Sequence, residues 1–184
     1  MGTGEGQVLR LKDDSEVIVR PIEPGDASRL QAFVRRLSAR SRRFRFFVAL
    51  TELPAKELER FVHVDPARDL ALVALNRREE SADDIVAEAR YVLSQDNATA
   101  EFAIAVADEY QRRGLGRQLV KRLLATAWRR GVRRLFGEIK VENGAMRGLA
   151  TRLGFRLRNS VEDESLVVAS LVAPSGFNPG YGRS

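Results

Sequence analysis

Between a Gly-rich start and a Gly- and Pro-rich end, the spacing of apolar residues switches repeatedly between two and about 3.6. Glu16–Ile22 alternates as a strand. Asp26 then stands where it would cap a helix whose Leu30, Phe33, Val34 and Leu37 share one face. A second, basic helix is expected over Ala39–Phe47, and Pro54 opens a third that runs to about His63. Leu70–Leu75 is a continuous apolar strand and Asp84–Leu93 a second, joined by a charged turn around Arg77–Asp83. Thr99–Ala107 is a third. After Gly114 comes a long amphipathic helix carrying Leu115, Leu119, Leu123, Ala127 and Trp128, ended by Gly131. Leu135–Val141 is a strand, Ala145–Leu153 a short helix stopped by Gly154, and Ser165–Val172 a last strand.

Three successive strands imply an antiparallel meander, and the later strand–helix–strand passage supplies a parallel pairing. The fold class expected is a mixed α/β (α+β) one. Its central sheet is mostly antiparallel, of about six to seven strands, with helices on both faces. Residues 9–173 form one domain in this reading, between a flexible N-terminus (1–8) and a flexible C-terminal tail (174–184).

Composition narrows the chemistry. The chain has no cysteine and one histidine, His63, so disulfides and thiolate metal sites are excluded and a zinc or triad enzyme is disfavoured. No metal is expected. No apolar run reaches the length of a membrane span and no signal-like stretch opens the chain, which points to a cytoplasmic protein without a membrane partner. The formal charge of +6 is unevenly spread: Tyr110–Arg158 holds fourteen basic residues against Glu138 and Glu142. Such a bias favours an anionic partner, or else reflects solvated helix faces.

Gly114 and Gly116 sit between a run of arginines and the start of the long helix, in Gln-Arg-Arg-Gly-Leu-Gly. A dinucleotide fingerprint would need a third glycine where Leu119 stands, and no G-x-x-x-x-G-K-[ST] loop exists. What remains is a turn able to aim successive backbone N–H groups and a helix dipole at a diphosphate. An ordinary strand-to-helix turn is the alternative.

With its neighbours, this stretch resembles the GCN5-related N-acetyltransferase (GNAT) superfamily. Gln111, Gly114 and Gly116 meet its [QR]-x-x-G-x-[GA] pattern, and "ENGAMRGLATRLGF" is similar to its second motif. Within the superfamily, "RPIEPGD", "LSARSRRFRFF" and "TAEFAIAVADEYQRRGLG" resemble the catalytic domain of bacterial protein lysine acetyltransferases. The resemblance implies a GNAT-like fold and acetyl-CoA, or another short acyl-CoA, as cosubstrate. It implies that Gln111, Arg112, Arg113, Gly114, Leu115, Gly116 and Arg117 hold the coenzyme pyrophosphate. Ile104, Val106 and Ala107 would pair by backbone with the pantetheine arm, as peptides do at sheet edges. Asn143 either reaches the pantetheine or caps the next helix.

An amine attacks a thioester only when neutral, and a lysine of pKa ~10.4 is neutral at pH 7 to less than about 0.1%, so a base matters. Glu101, in an otherwise small or apolar strand, is the candidate. Alternation places it with Ala103, Ala105 and Ala107, opposite Phe102, Ile104 and Val106. Partial desolvation would raise its pKa. In the family resembled, a glutamate at the matching position is the general base; the alternative is a carboxylate paired with an arginine of a neighbouring strand. The Val106 or Ala107 N–H would serve the oxyanion. Many family members place a tyrosine acid where Ala150 stands, leaving Tyr110 or water as donor. The aromatic and basic run Arg42–Phe47 either meets an acidic substrate surface or packs. The activity expected is N-acyl transfer to an amine, foremost a protein lysine, with an acyl-CoA synthetase as a candidate partner and nucleic acid disfavoured. A small amine acceptor and a non-catalytic acyl-CoA sensor are the alternatives.

Overall fold

The long apolar runs become the middle of a sheet, because a strand covered on both faces has no reason to alternate. In a computed structural model, which describes residues 6–77 and 84–175, β3 (Leu70–Asn76) and β4 (Ile85–Leu93) lie side by side and are almost entirely buried. Two strands precede them, β1 (Gln7–Arg10) and β2 (Glu16–Pro21), and β5 (Thr99–Val106) follows. β1 to β5 form an antiparallel meander; β6 (Arg134–Lys140) then pairs with β5 in parallel, and β8 (Leu166–Val172) separates β6 from β7 (Arg156–Asn159). Among the described residues the sheet therefore has eight strands, more than expected. β1 and β7 are the two additions, four-residue edge strands with mixed polarity. Gln7 and Val8 pair with Val19 and Ile18, so the strand begins inside the segment expected to be loose. Residues 1–5 of that segment, most of the expected Arg77–Asp83 turn and most of the expected tail lie outside the described residues.

Among the described residues, five helices cover the sheet: α1 (Ala27–Arg36), α2 (Ala39–Phe46), α3 (Ala55–Val62), α4 (Leu115–Arg129) and α5 (Gly144–Arg152). The predicted stripe of α1 is buried, with Leu30, Phe33 and Val34 each 1% exposed. α4 buries Leu115, Leu119, Leu123, Ala127 and Trp128, and Gly131 (φ 81°) ends it. α4 and α5 lie on the sheet face that carries Phe102, Ile104 and Val106, where Gly116 faces Ile104, Val106 and Leu149. α2 lies on the opposite face, with Glu88 and Glu101.

One feature of the sheet creates the site. β5 pairs with β4 along its whole length but with β6 only over Thr99–Glu101. Beyond Glu101 the two strands part, and the gap passes through the sheet from the α4–α5 face to the α2–α3 face.

Candidate active site

The gap is a cleft of about 1190 Å³, walled by β5 and β6, the turn before α4, α5, α2 and α3. On its β5 wall the direction of each backbone group follows from the ladder. Ala107 donates its N–H to Val86 at 2.8 Å and accepts from Tyr110 at 2.8 Å. Because groups alternate along an antiparallel pair, the N–H of Ile104 and Val106 then point away from β4, into the gap that β6 has vacated. Ile104 and the Val106 N–H thus face the cleft without a partner in the β4 ladder, and Ala107 does not. The expectation that Ala107 pairs with a ligand or supplies an oxyanion donor is corrected: both its backbone groups are engaged within the protein. Gln111 Nε2 donates to the Val106 carbonyl at 3.1 Å and to Ser41 Oγ at 3.3 Å, tying the turn to the strand end and to α2.

At the α4 end the two glycines have different reasons. Gly114, the residue before α4, has φ 90°, a left-handed conformation that a side chain would strain. Gly116 is in the first turn, and a Cβ there would meet Leu149, Ile104 and Val106 no closer than 3.5 Å. Nothing in the protein forbids that atom; its absence leaves the cleft wall open. No side chain caps α4, and its first backbone acceptor is used by Gln118, which bonds the Gly114 carbonyl at 3.2 Å. The N–H groups of Leu115, Gly116 and Arg117 therefore have no intrahelical partner, the arrangement that suits a phosphate. The Leu115 side chain itself is fully buried and packs in the core, so only its backbone belongs to this end.

The arginines divide. Arg112 (φ 61°) and Arg117 line the cleft. Arg113 does not: it turns to the β1–β2 hairpin, pairing with Asp13 at 2.7 Å and stacking on Tyr110 at 5.0 Å. Its expected place at the phosphates is corrected, since Asp13 neutralises it. Lys12, from the same hairpin, lies with its side chain over Gly114 and lines the cleft. Asn143 caps α5, accepting from Met146 N–H at 3.1 Å, while it also lines the cleft. Tyr110 is buried outside the cleft lining, as is Ala150, and neither is placed as a proton donor. His63 sits on the surface beside Glu59.

Glu101 stands where β5 and β6 part. Among the described residues it has no hydrogen-bond or ion-pair partner, and it reaches solvent through the cleft. Partial burial among the cleft walls and the charge of Glu138 push its pKa above the usual carboxylate range, while Arg45 pulls it partly back. Glu138 faces it from β6: Glu101 is level with Phe136, so Glu138 lies on the same face two residues on. The arginine pairing held open for Glu101 belongs instead to Glu88, one strand away, which is bound by Arg45 at 3.2 Å and Arg90 at 2.5 Å. Burial would raise the Glu88 pKa, but the two guanidinium groups outweigh it and hold it low. Arg90 stacks on Phe61 at 3.9 Å, and Phe61 and Phe46 form the wall beside Glu101. From the run Arg42–Phe47, then, Arg45 and Phe46 pack, while Phe44 and Phe47 line the mouth.

Residues 34–155 fit the model of the acetyltransferase (GNAT) family. The chain belongs to that family. It is 31% identical over 168 residues to "Acetyltransferase PA5475" of Pseudomonas aeruginosa, covering 91% of this chain and 90% of that protein. It is 34% identical over 137 residues to "Acetyltransferase Pat" of Mycolicibacterium smegmatis, which takes in 74% of this chain but only 40% of that longer protein. Among solved structures, the GNAT domain of S. lividans PAT superposes with a TM-score of 0.83 at 28% identity, over 91% of this chain and 97% of that one. The GNAT chain described here is an acetyltransferase that uses acyl-CoA. No helix among the described residues is long and apolar enough to cross a membrane.

Proposed function

We propose that this GNAT protein moves an acetyl or other short acyl group from acyl-CoA to a protein lysine by direct attack, with Glu101 as general base. The observation that carries the reading is the unpaired Glu101 carboxylate, facing Glu138 at the point where the cleft crosses the sheet. A lysine arrives as a cation, and two carboxylates beside the Phe46 and Phe61 rings attract it. A base of raised pKa is better matched to removing its proton.

In this mechanism Lys12, Arg112, Arg117 and the open amides of α4 hold the phosphates, and the Ile104 and Val106 backbone positions the pantetheine arm. Glu101 accepts one proton from the ammonium, directly or through a water. The neutral nitrogen forms its bond to the thioester carbon, whose oxygen becomes negative and accepts from the Val106 N–H. The C–S bond then breaks, the electron pair leaves on sulfur, and water protonates the thiolate. The amide nitrogen gives its remaining extra proton to solvent.

Calorimetry with acetyl-CoA tests the donor end. The acceptor is tested by incubating the protein and acetyl-CoA with purified acyl-CoA synthetases and mapping products by mass spectrometry. Acyl groups on lysine side chains are the expected result. Acylation confined to N-terminal α-amines or to small amines would overturn the lysine assignment.

A further inference from the structure

Several large apolar side chains are exposed among the described residues, and Phe47 and Val48 are the ones that line the cleft. They follow one another directly after α2 and are 37% and 57% exposed. β6 shows which end of the cleft they border. Glu101 is level with Phe136, so alternation puts Glu138 and then Lys140 on the face that carries Glu101. The Lys140 ammonium lies over the Phe47 ring, 5.6 Å from its centroid, and is itself tied to Ser165 Oγ at 3.2 Å. The ring therefore stands on the lip of the acceptor end, beside the next inward position of β6 after Glu138.

The backbone beneath that ring is strained. α2 closes with Phe47 in the left-handed region, at φ 61° and ψ −5°, its N–H donating to the Arg43 carbonyl at 3.0 Å. Helices often close on such a residue, and it is usually glycine, which adopts the conformation without steric cost. A bulky side chain there is uncommon, and strain of this kind gathers where ligands are held. Nor does the core require the ring: neither Phe47 nor Val48 belongs to the buried cluster or to the half-buried side chains packed on it.

A protein amine reaches Glu101 only on a lysine side chain, with its main chain left outside at the lip. In an extended segment adjacent side chains point to opposite sides, while those two apart point the same way, about 7 Å from each other. A lysine directed into the cleft thus turns the residues two places before and after it onto the lip, and its immediate neighbours toward solvent.

We propose that Phe47 and Val48 form an apolar shelf for the side chain two positions from the target lysine, so that the acceptor is an extended segment with an apolar residue at that place. The inference rests on the reading of the protein as a lysine acyltransferase and narrows its substrate class. Phe47 is a specificity residue in it, held in a strained conformation to present its ring.

Thiol release from acetyl-CoA is followed with peptides blocked at the N-terminus, each with a single lysine in a serine background. Leucine is placed in turn two before, one before, one after and two after the lysine. At one of the positions two away it is expected to raise kcat/KM by about fivefold or more, mainly through KM, and at either adjacent position by less than about twofold. In Phe47→Ala and Phe47→Gly that advantage falls below about twofold, and Phe47→Leu keeps part of it. The two variants without a ring also separate recognition from folding. Glycine relieves the left-handed residue and alanine does not, so Phe47→Gly is expected to melt about 2–4 °C above Phe47→Ala while both lose the leucine preference alike. A preference lost only in the less stable variant would report damage to the fold and overturn the proposal. Equal kcat/KM for all the peptides overturns it too, and leaves lysine acyl transfer standing. A parent that acylates small amines but no peptide overturns both readings. Sedimentation of the parent and of Phe47→Ala completes the test: monomers in both support the shelf as an acceptor surface, whereas a dimer dissolved by the substitution would assign it to a second copy of this chain and overturn the proposal.

Discussion

At the α4 end of the cleft the groups that face inward are mostly backbone: the amides of Leu115, Gly116 and Arg117, and the strand edge of Ile104 and Val106. At the α2 end they are side chains, brought by α2, α3, β5 and β6 and supported from β4. In the proposed reading, backbone donors bind what is common to every substrate molecule, a diphosphate and an extended amide arm, and they hardly depend on side-chain identity. Side chains gathered from distant segments choose the acceptor and set a proton affinity. The first end is general and local, the second specific and non-local.

That contrast is most sharply broken by changing one carboxylate. Glu101→Gln keeps the shape of the acceptor end and removes the proposed base, so thiol release from acetyl-CoA in the presence of acceptor is expected to fall about 10²–10⁴-fold. Calorimetry on the same variant is expected to give an acetyl-CoA affinity close to the parent's. A loss of affinity equal to the loss of turnover would mean that the two ends are not separate.

Glu88 offers the next largest effect, and of another kind. Glu88→Ala strands Arg45 and Arg90 in the core, where leaving a buried charge unpaired typically costs about 3–5 kcal/mol. Urea unfolding measures this as a fall in midpoint. A Glu88→Ala protein as stable as the parent would show that the network carries no structural weight.

The glycines test the α4 end. Gly114→Ala forces a side chain into φ 90° and is expected to cost about 1–2 kcal/mol of stability. Gly116→Ala adds a Cβ for which the protein itself has room, so its folding is expected to change little while acetyl-CoA affinity falls by about threefold, the worth of a crowded contact of ~0.7 kcal/mol. Thermal melts and calorimetry on the two variants separate the conformational glycine from the spatial one.

The same division explains what could be read from residues alone. Gln111–Arg117 is one continuous stretch, and a turn that must present amides announces itself by its glycines. Even there Arg113 misleads, because its direction is decided by Asp13, a hundred positions away in the chain. The central strands and the long helix are legible from period and length. β1 and β7 are not, since a four-residue edge strand buries too little to leave a pattern. At the acceptor end, Glu88 in "DIVAEARYVL" and Glu101 in "TAEFAIAVA" are indistinguishable as sequence: each is a lone acid in an apolar strand. Only the approach of Arg45 and Arg90 makes one structural and leaves the other free.

The smallest expected effect follows from that pair, through the sign of each pKa shift. Glu88 is held below its ordinary value, so its contribution to stability is present above the unfolded-state pKa and is lost as pH falls through the lower, folded one. Glu101 is pushed up, so relative to the unfolded chain it destabilises the fold once pH rises through the folded pKa, and stops doing so below the unfolded one. Replacing Glu101 by glutamine removes that penalty. Because the carboxylate reaches solvent and screening shrinks the effect, Glu101→Gln is expected to melt only about 1 °C above the parent at pH 8. The difference should shrink as pH falls through the folded pKa and vanish below the unfolded one. A variant that loses activity and yet gains stability, in that pH window only, marks Glu101 as a group kept for chemistry at the expense of the fold. A lower melting temperature at pH 8 would mean that Glu101 is an ordinary stabilising carboxylate, and the contrast with Glu88 would disappear.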